Sequence, residues 1–84
     1  MKDNAERFII YPNPANDHVS IDILKGPSTV VIRLYDITRK QSSIQAFKQN
    51  ESQYTMNLDA LNDGVYFIRI KQGDKIYNAK IIVT

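Results

Sequence analysis

The stretch 58–70 constrains the fold of this chain more than any other part of its sequence. Its Asn-Asp-Gly turn, residues 62–64, favours a change of direction because these residue types tolerate left-handed backbone. Apolar side chains then recur at period two, which predicts a strand with one apolar face. A tyrosine directly after such a turn can bury its ring and donate its hydroxyl to an upstream carbonyl, as in the tyrosine corner of Greek-key sandwiches. An ordinary turn and strand is the alternative. We predict a structural corner formed by Leu61, Gly64 and Tyr66.

The rest of the chain divides into short segments of β-type sequence separated by turn residues. Together with the strand after the corner, the predicted strands are 7–11, 18–24, 29–35, 41–47, 52–58, 65–71 and 75–83. Turns at intervals of about 8–12 residues are typical of an antiparallel β-sandwich. No segment of usable length has a period of 3.6 residues, and only residues 59–63 are compatible with one helical turn. We therefore predict an all-β fold without parallel βαβ units.

Alternation also predicts which side chains face the core. The predicted inward side chains are Val19, Ile21, Ile23, Val30, Ile32, Leu34, Tyr54, Met56, Leu58, Tyr77, Ala79, Ile81 and Val83. Segment 41–47 has the weakest pattern, and we predict an edge strand there, followed by a polar loop at 48–51. Ile82 is expected to face outward. It is either a tolerated apolar residue or part of an attachment surface, and the second alternative arises because an unpaired strand edge can pair with a strand of a partner.

Composition bounds the kinds of function that the chain can have. Its 84 residues include no cysteine, which excludes disulfides and thiolate metal sites, and a net charge of +2 does not indicate nucleic-acid binding. No apolar run reaches the roughly 20 residues of a membrane helix. His18 is the single histidine and lies beside Asp17 without the other members of a catalytic or zinc site. The oxygen-rich cluster Asp59, Asn62 and Asp63 could attract calcium, but turn formation explains it. We predict no catalytic residue, metal or cofactor.

Several short motifs together carry a resemblance to one family. In chain order they are Tyr11-Pro12-Asn13-Pro14, Val19-x-Ile21, Leu34-Tyr35-Asp36, Leu58-x-x-Leu61-x-x-Gly64-x-Tyr66-x-Ile68, Gly73 and Lys80-Ile81-Ile82-Val83. Their order and spacing resemble the C-terminal sorting domain of type IX secretion cargo, of the type A kind (the Por secretion system sorting domain family). The resemblance extends over residues 8–84 and leaves residues 1–7 as the end of an upstream linker. The family usually has Asp-x-x-Gly where this chain has residues 36–39, ending in Arg39, so the geometry of that turn stays open.

The resemblance implies an immunoglobulin-like antiparallel β-sandwich of about seven strands in two sheets. It implies a secretion signal without turnover of its own, at the C-terminus of a larger exported cargo that can itself be an enzyme. The expected partners are the outer-membrane translocon, its shuttle and a cell-surface sortase that removes the domain and joins the cargo to lipopolysaccharide. The cut is expected within residues 1–6 or upstream of them. The cargo would cross the periplasm and reach the cell surface or the medium. Residues 1–6 lack the apolar segment of a signal peptide, so an export signal is expected elsewhere in the full protein.

Two segments supply the candidate recognition residues. These residues are Tyr11, Pro12, Asn13, Pro14, Lys80, Ile82, Val83 and Thr84. Redirection of the chain by prolines, which lack a backbone donor, is the competing explanation for the first segment. A second hypothesis for the whole chain is an immunoglobulin- or fibronectin-like adhesion or spacer module of a secreted protein. An enzyme is the third, although no nucleophile–base pair or metal set is present in the sequence. Two copies could also pair through an open edge strand.

Overall fold

The computed structural model describes residues 7–27 and 29–84, which form seven β-strands in two antiparallel sheets. The strands are β1 (Phe8–Tyr11), β2 (His18–Ile23), β3 (Val31–Asp36), β4 (Ala46–Asn50), β5 (Gln53–Asn57), β6 (Gly64–Gln72) and β7 (Lys75–Val83). One sheet has the order β1-β2-β5-β4 and the other the order β3-β6-β7. This is the strand arrangement of a constant-type immunoglobulin fold, so the predicted fold class is confirmed. The predicted cut region 1–6 lies outside the described residues.

The core lies between the two sheets and is filled by alternate side chains from both. The buried apolar residues are Phe8, Ala15, Val19, Ile21, Ile23, Val30, Leu34, Tyr54, Met56, Leu58, Ile68, Ile70, Ile81 and Val83. Ile32, Tyr77 and Ala79 are half-buried, and every other side chain predicted to face inward is buried. The alternation pattern is thus confirmed on four strands. Burial of each large aliphatic side chain contributes about 1.5–3 kcal/mol to the stability of the folded state. Packing of this apolar layer is therefore the main interaction that holds the two sheets together.

The segment after β3 differs from the prediction. Strand β4 spans Ala46–Asn50 instead of 41–47, so most of the predicted polar loop at 48–51 is strand. Gln41 makes a single bridge with Tyr35, and the chain then leaves the three-stranded sheet for the other one, where β4 pairs with β5. The crossing occupies the residues that we predicted as the first half of the strand. The predicted edge position of β4 is confirmed.

The structure shows the geometry of the turn after β3, where this chain has Arg39 in place of the glycine that is usual in the family. Arg39 has φ = 71°, in the left-handed region that favours glycine. The carboxylate of Asp36 accepts hydrogen bonds from the backbone N–H groups of Thr38 (2.8 Å) and Lys40 (3.1 Å). These bonds close the turn around the arginine. The turn therefore keeps a glycine-type conformation without the glycine.

The predicted tyrosine corner is present between β5 and β6. Tyr66 donates its hydroxyl to the backbone carbonyl of Asn62 at 2.8 Å. Gly64 begins β6 with φ = 156°, and Leu61 is half-buried against the core. Where the sequence allows one helical turn, residues 59–60 form a single tight turn, closed by a hydrogen bond from the N–H of Leu61 to the carbonyl of Leu58 (2.9 Å). The corner carries the chain from the four-stranded sheet to the three-stranded one.

Candidate recognition site

The segment that follows β1 lies against the end of β7. The side chain of Asn13 donates from Nδ2 to the carbonyl of Lys80 (3.2 Å) and accepts at Oδ1 from the N–H of Ile82 (3.1 Å). One planar amide therefore satisfies a carbonyl and an N–H on the outer side of β7, as a neighbouring strand would do. An aspartate could not make both bonds, because an ionised carboxylate only accepts.

Ala15 continues this pairing with its own backbone. Its N–H donates to the carbonyl of Ile82 (2.7 Å), and its carbonyl accepts from the N–H of Thr84 (2.8 Å). The two bonds form a parallel bridge between Ala15 and Val83, and Ala15 is fully buried. Ala15 was not among the predicted recognition residues. Its one signal in the sequence is a small apolar side chain within a polar turn, which is too weak to predict burial.

The two predicted recognition segments thus meet in one place, which we call the strand junction. It consists of Asn13, Ala15, Lys80, Ile82, Val83 and Thr84. Pro12 and Pro14, each preceded by a cis peptide bond, lead the chain from β1 to the junction. Tyr11 does not join it. Its hydroxyl instead contacts the carboxylate of Asp22 at 3.1 Å, on the outer face of the four-stranded sheet.

The recognition residues of β7 differ in what they offer to a partner. The side chain of Val83 is 2% exposed and belongs to the core, so it joins the junction through its backbone only. Lys80 is exposed and Ile82 is 40% exposed, and both face outward from the three-stranded sheet. The outward orientation predicted for Ile82 is confirmed. A protein that binds the junction can therefore contact the side chains of Lys80 and Ile82 but not that of Val83.

The junction closes only part of the edge of β7. Strand β7 lies at the edge of the three-stranded sheet, and unpaired edge groups are templates for pairing with another chain. Asn13 and Ala15 cover this edge between Lys80 and Thr84. Upstream of that point, no described strand pairs with the outer side of β7. A groove of about 180 Å³ lies there, lined mainly by side chains of β1 and β7, among them Phe8, Ile10 and Tyr77.

The polar clusters noted in the sequence have structural roles. His18 Nδ1 lies 2.8 Å from Asp17 Oδ1 on the surface, and this hydrogen bond lowers the pKa of Asp17 below its ordinary value. In the other cluster, the backbone N–H of Asp59 donates to the side chain of Asn57 (2.8 Å) and the carbonyl of Asn62 accepts from the tyrosine corner. Within residues 7–27 and 29–84, no group of three acidic, histidine or cysteine side chains could hold a metal ion. The same part of the chain contains no helix suited to spanning a membrane.

Comparison with known sequences identifies a family and a relative. The family described as "Secretion system C-terminal sorting domain" matches residues 9–84. Karilysin from Tannerella forsythia is 25% identical over 84 residues, a match that covers 89% of this chain. The chain spans only 18% of the length of that relative.

Comparison with solved structures supports the fold alone. The Ig7 domain of Dscam1, isoform 5, matches with a TM-score of 0.57 at 17% identity, covering 92% of this chain and 96% of the other. CopC from Methylosinus trichosporium OB3b matches with a TM-score of 0.54 at 19% identity, covering 93% and 92%. Both likenesses fit the two-layer arrangement of the strands. At these identities they carry no information about what this chain binds.

Proposed function

The chain belongs to the family of secretion-system C-terminal sorting domains, and we propose that its signal is read at the strand junction and the side chains beside it. As a C-terminal sorting signal of type IX secretion, it interacts with the type IX machinery and directs export to the cell surface or outside. Domains of this family are generally non-catalytic. Membership of the family does not by itself indicate which part of the sandwich the machinery contacts.

The observation that carries the proposal is the double hydrogen bond of Asn13 to β7. It brings together two motif segments, 11–14 and 80–84, that are far apart in the sequence. Beside the bond, Lys80 and Ile82 present a cation and an apolar side chain to solvent, although neither is needed to fill the core. The adjoining prolines add a stiff, exposed surface with few backbone donors. A partner can bind such a surface only on the folded domain, because the two segments meet only there.

The finer assignments follow from this role. We assign the outer-membrane translocon, its shuttle and a cell-surface sortase as the partners, and transit through the periplasm as the route. Residues 8–84 form the sorting domain, and the sortase cuts within residues 1–6 or upstream. The domain itself carries no catalysis. Two copies could pair through the open part of the edges of β1 and β7, which sedimentation of the purified chain would test.

An adhesion or spacer module is the alternative function. The sandwich by itself fits that role equally well, since the same fold serves many functions. The match of the sorting-domain family to residues 9–84 favours secretion. The difference is testable, because a spacer has no effect on the destination of a protein attached to it.

The test is a fusion of residues 1–84 to the C-terminus of a periplasmic reporter. In a cell with an active type IX system, we expect the reporter at the surface or in the medium, and in a cell without its translocon we expect retention. The double substitution Lys80→Ala/Ile82→Ala should lower export by about tenfold or more, as expected for the loss of central contacts. Deletion of residues 82–84 should do the same.

Phe47→Ala/Lys48→Ala is the matched control. It also removes one lysine and one exposed apolar side chain from an edge strand, but from β4 in the other sheet. Export of the control should equal that of the unchanged fusion. Retention of the unchanged fusion in competent cells would refute the sorting role, and normal export of the Lys80/Ile82 variant would refute the location of the signal.

A further inference from the structure

The outer face of the three-stranded sheet carries cations without carboxylates. Register places side chains of β3, β6 and β7 in rows across this face. Its exposed charged residues are Arg33, Arg69, Lys71 and Lys80. We call these four, with Tyr35 and Phe67 between them, the cationic face. Register places no described carboxylate among the outward residues of these strands, although Asp36 lines a pocket at the end of β3 together with Tyr35 and Arg69. The nearest along β3, Asp36, is held by the backbone of its own turn.

Folding alone does not explain this arrangement. Arg33 and Arg69 are direct cross-strand partners, and like charges in that position destabilise a sheet. Within the described residues, no carboxylate forms an ion pair with either arginine. Protein surfaces normally intersperse both signs of charge, which relieves such repulsion. A concentration of cations on one face therefore suggests that the counter-charge comes from a partner.

Aromatic side chains define the kind of partner. The guanidinium of Arg69 lies over the ring of Tyr35, 5.1 Å from its centroid. Phe67, between Tyr35 and Lys80 in the register, is 37% exposed. Arginine, tyrosine and phenylalanine are enriched at the centres of protein–protein interfaces.

We propose that the cationic face docks an acidic surface of a protein, with carboxylates opposite the four cations and an apolar contact opposite Phe67. This inference rests on the proposed function, because the acidic protein is the component of the secretion machinery that reads the domain. Lys80 belongs both to this face and to the strand junction. The face therefore extends the contact surface from the end of β7 across β6 to β3.

The substitution Arg33→Glu separates docking from folding. The new carboxylate would lie across from Arg69, so a repulsive pair becomes an attractive one. We expect the melting temperature of the purified chain to rise by roughly 2–5 °C. Export of the reporter fusion should nevertheless fall by about tenfold, since the same carboxylate repels an acidic partner. A structural role for Arg33 would move both readouts in the same direction.

Two further variants complete the charge test. Lys71 has Val31 and Ile76 as its direct cross-strand partners. Lys71→Glu therefore places no carboxylate directly opposite a cation, and it should lower export with a smaller rise in melting temperature than Arg33→Glu. Lys48→Glu makes the same change of charge on β4 of the other sheet and should leave export unchanged. Export of both face variants at the level of the unchanged fusion would overturn the inference. The proposed function would survive that result, because it depends on export of the unchanged fusion.

Replacing Val31 with a photo-crosslinking amino acid tests whether the partner is an acidic protein. Val31 is 46% exposed and adjoins Lys71 in the register. We expect an adduct with a protein of the secretion machinery, through a peptide rich in Asp and Glu, that is lost when Arg33→Glu is added. An adduct with lipopolysaccharide alone, or with a peptide without acidic residues, would overturn the acidic-protein assignment.

Discussion

The side-chain oxygen of Asn13 accepts a hydrogen bond of 3.1 Å from the backbone N–H of Ile82, 69 residues later in the chain. With the bond from the same side chain to Lys80, it makes one asparagine a substitute for a neighbouring strand. Such a contact gives the edge of β7 protection that its place in the sheet does not provide.

Asn13→Asp should lower the free energy of unfolding by about 0.5–1.5 kcal/mol, because the carboxylate loses the donor and faces the carbonyl of Lys80. Urea denaturation of the purified chain measures the change. Asn16→Asp is the control, with the same chemical change at an exposed position of the same segment. Equal effects of the two substitutions would show that the junction contributes nothing specific.

Tyr66→Phe should lower stability by about 1 kcal/mol, since it removes only the hydroxyl that donates to Asn62. For a domain of this size, such a loss corresponds to a fall in melting temperature of roughly 4–8 °C. Tyr77→Phe is the matched control. Its ring packs edge-on against Phe8, and within the described residues its hydroxyl makes no hydrogen bond. An unchanged melting temperature for Tyr66→Phe would mean that the corner is held by packing alone.

Arg39→Gly should raise stability by about 0.5 kcal/mol. Relief of the left-handed backbone at φ = 71° stabilises the folded state by about 1–2 kcal/mol, and the greater freedom of glycine in the unfolded chain offsets part of this. Lys40→Gly, at the next position and without positive φ, should be destabilising. Thermal unfolding of both variants decides the point. A loss of stability in the Arg39 variant would contradict the strain.

Acid should weaken the domain partly through Asp36. Hydrogen bonds from the Thr38 side chain and from the backbone N–H groups of Lys40 and Thr38 lower the pKa of Asp36 below its ordinary 3.8. A carboxyl with a lowered pKa in the folded state contributes stability above pH 3.8, and this contribution is lost as the pH falls through the folded-state pKa. Melting temperatures measured from pH 7 to pH 2 should therefore fall less below pH 4 for Asp36→Asn than for the unchanged chain. Parallel curves for the two proteins would refute the linkage.

The sequence predicts those parts of the fold that depend on local pattern. Alternation identifies the inward side chains of four strands, and the Asn-Asp-Gly turn before Tyr66 identifies the corner, because both signals lie within a few residues. The boundaries of β4 could not be predicted. They depend on where the chain crosses between sheets, and that crossing leaves no periodic signal.

The candidate site is predictable only in pieces. Motif resemblance identifies segments 11–14 and 80–84 separately, but nothing in either segment indicates that an asparagine amide of one pairs with the backbone of the other. The burial of Ala15 has the same cause, since it follows from a bridge to Val83 that only the folded chain contains. The cationic face depends on strand order. Arg33 and Arg69 become neighbours because β3 and β6 pair, although other strands lie between them in the sequence.

The long sequence separation between Asn13 and Ile82 has a consequence for cargo quality. Their contact cannot exist on a nascent chain before β7 has been synthesised, nor on a fragment that has lost that strand. If the signal lies at the strand junction, as proposed, it is absent until the whole domain has been made and folded. Unfinished or proteolysed cargo would then fail to present a readable address, and the cell would need no separate inspection step to withhold it from export.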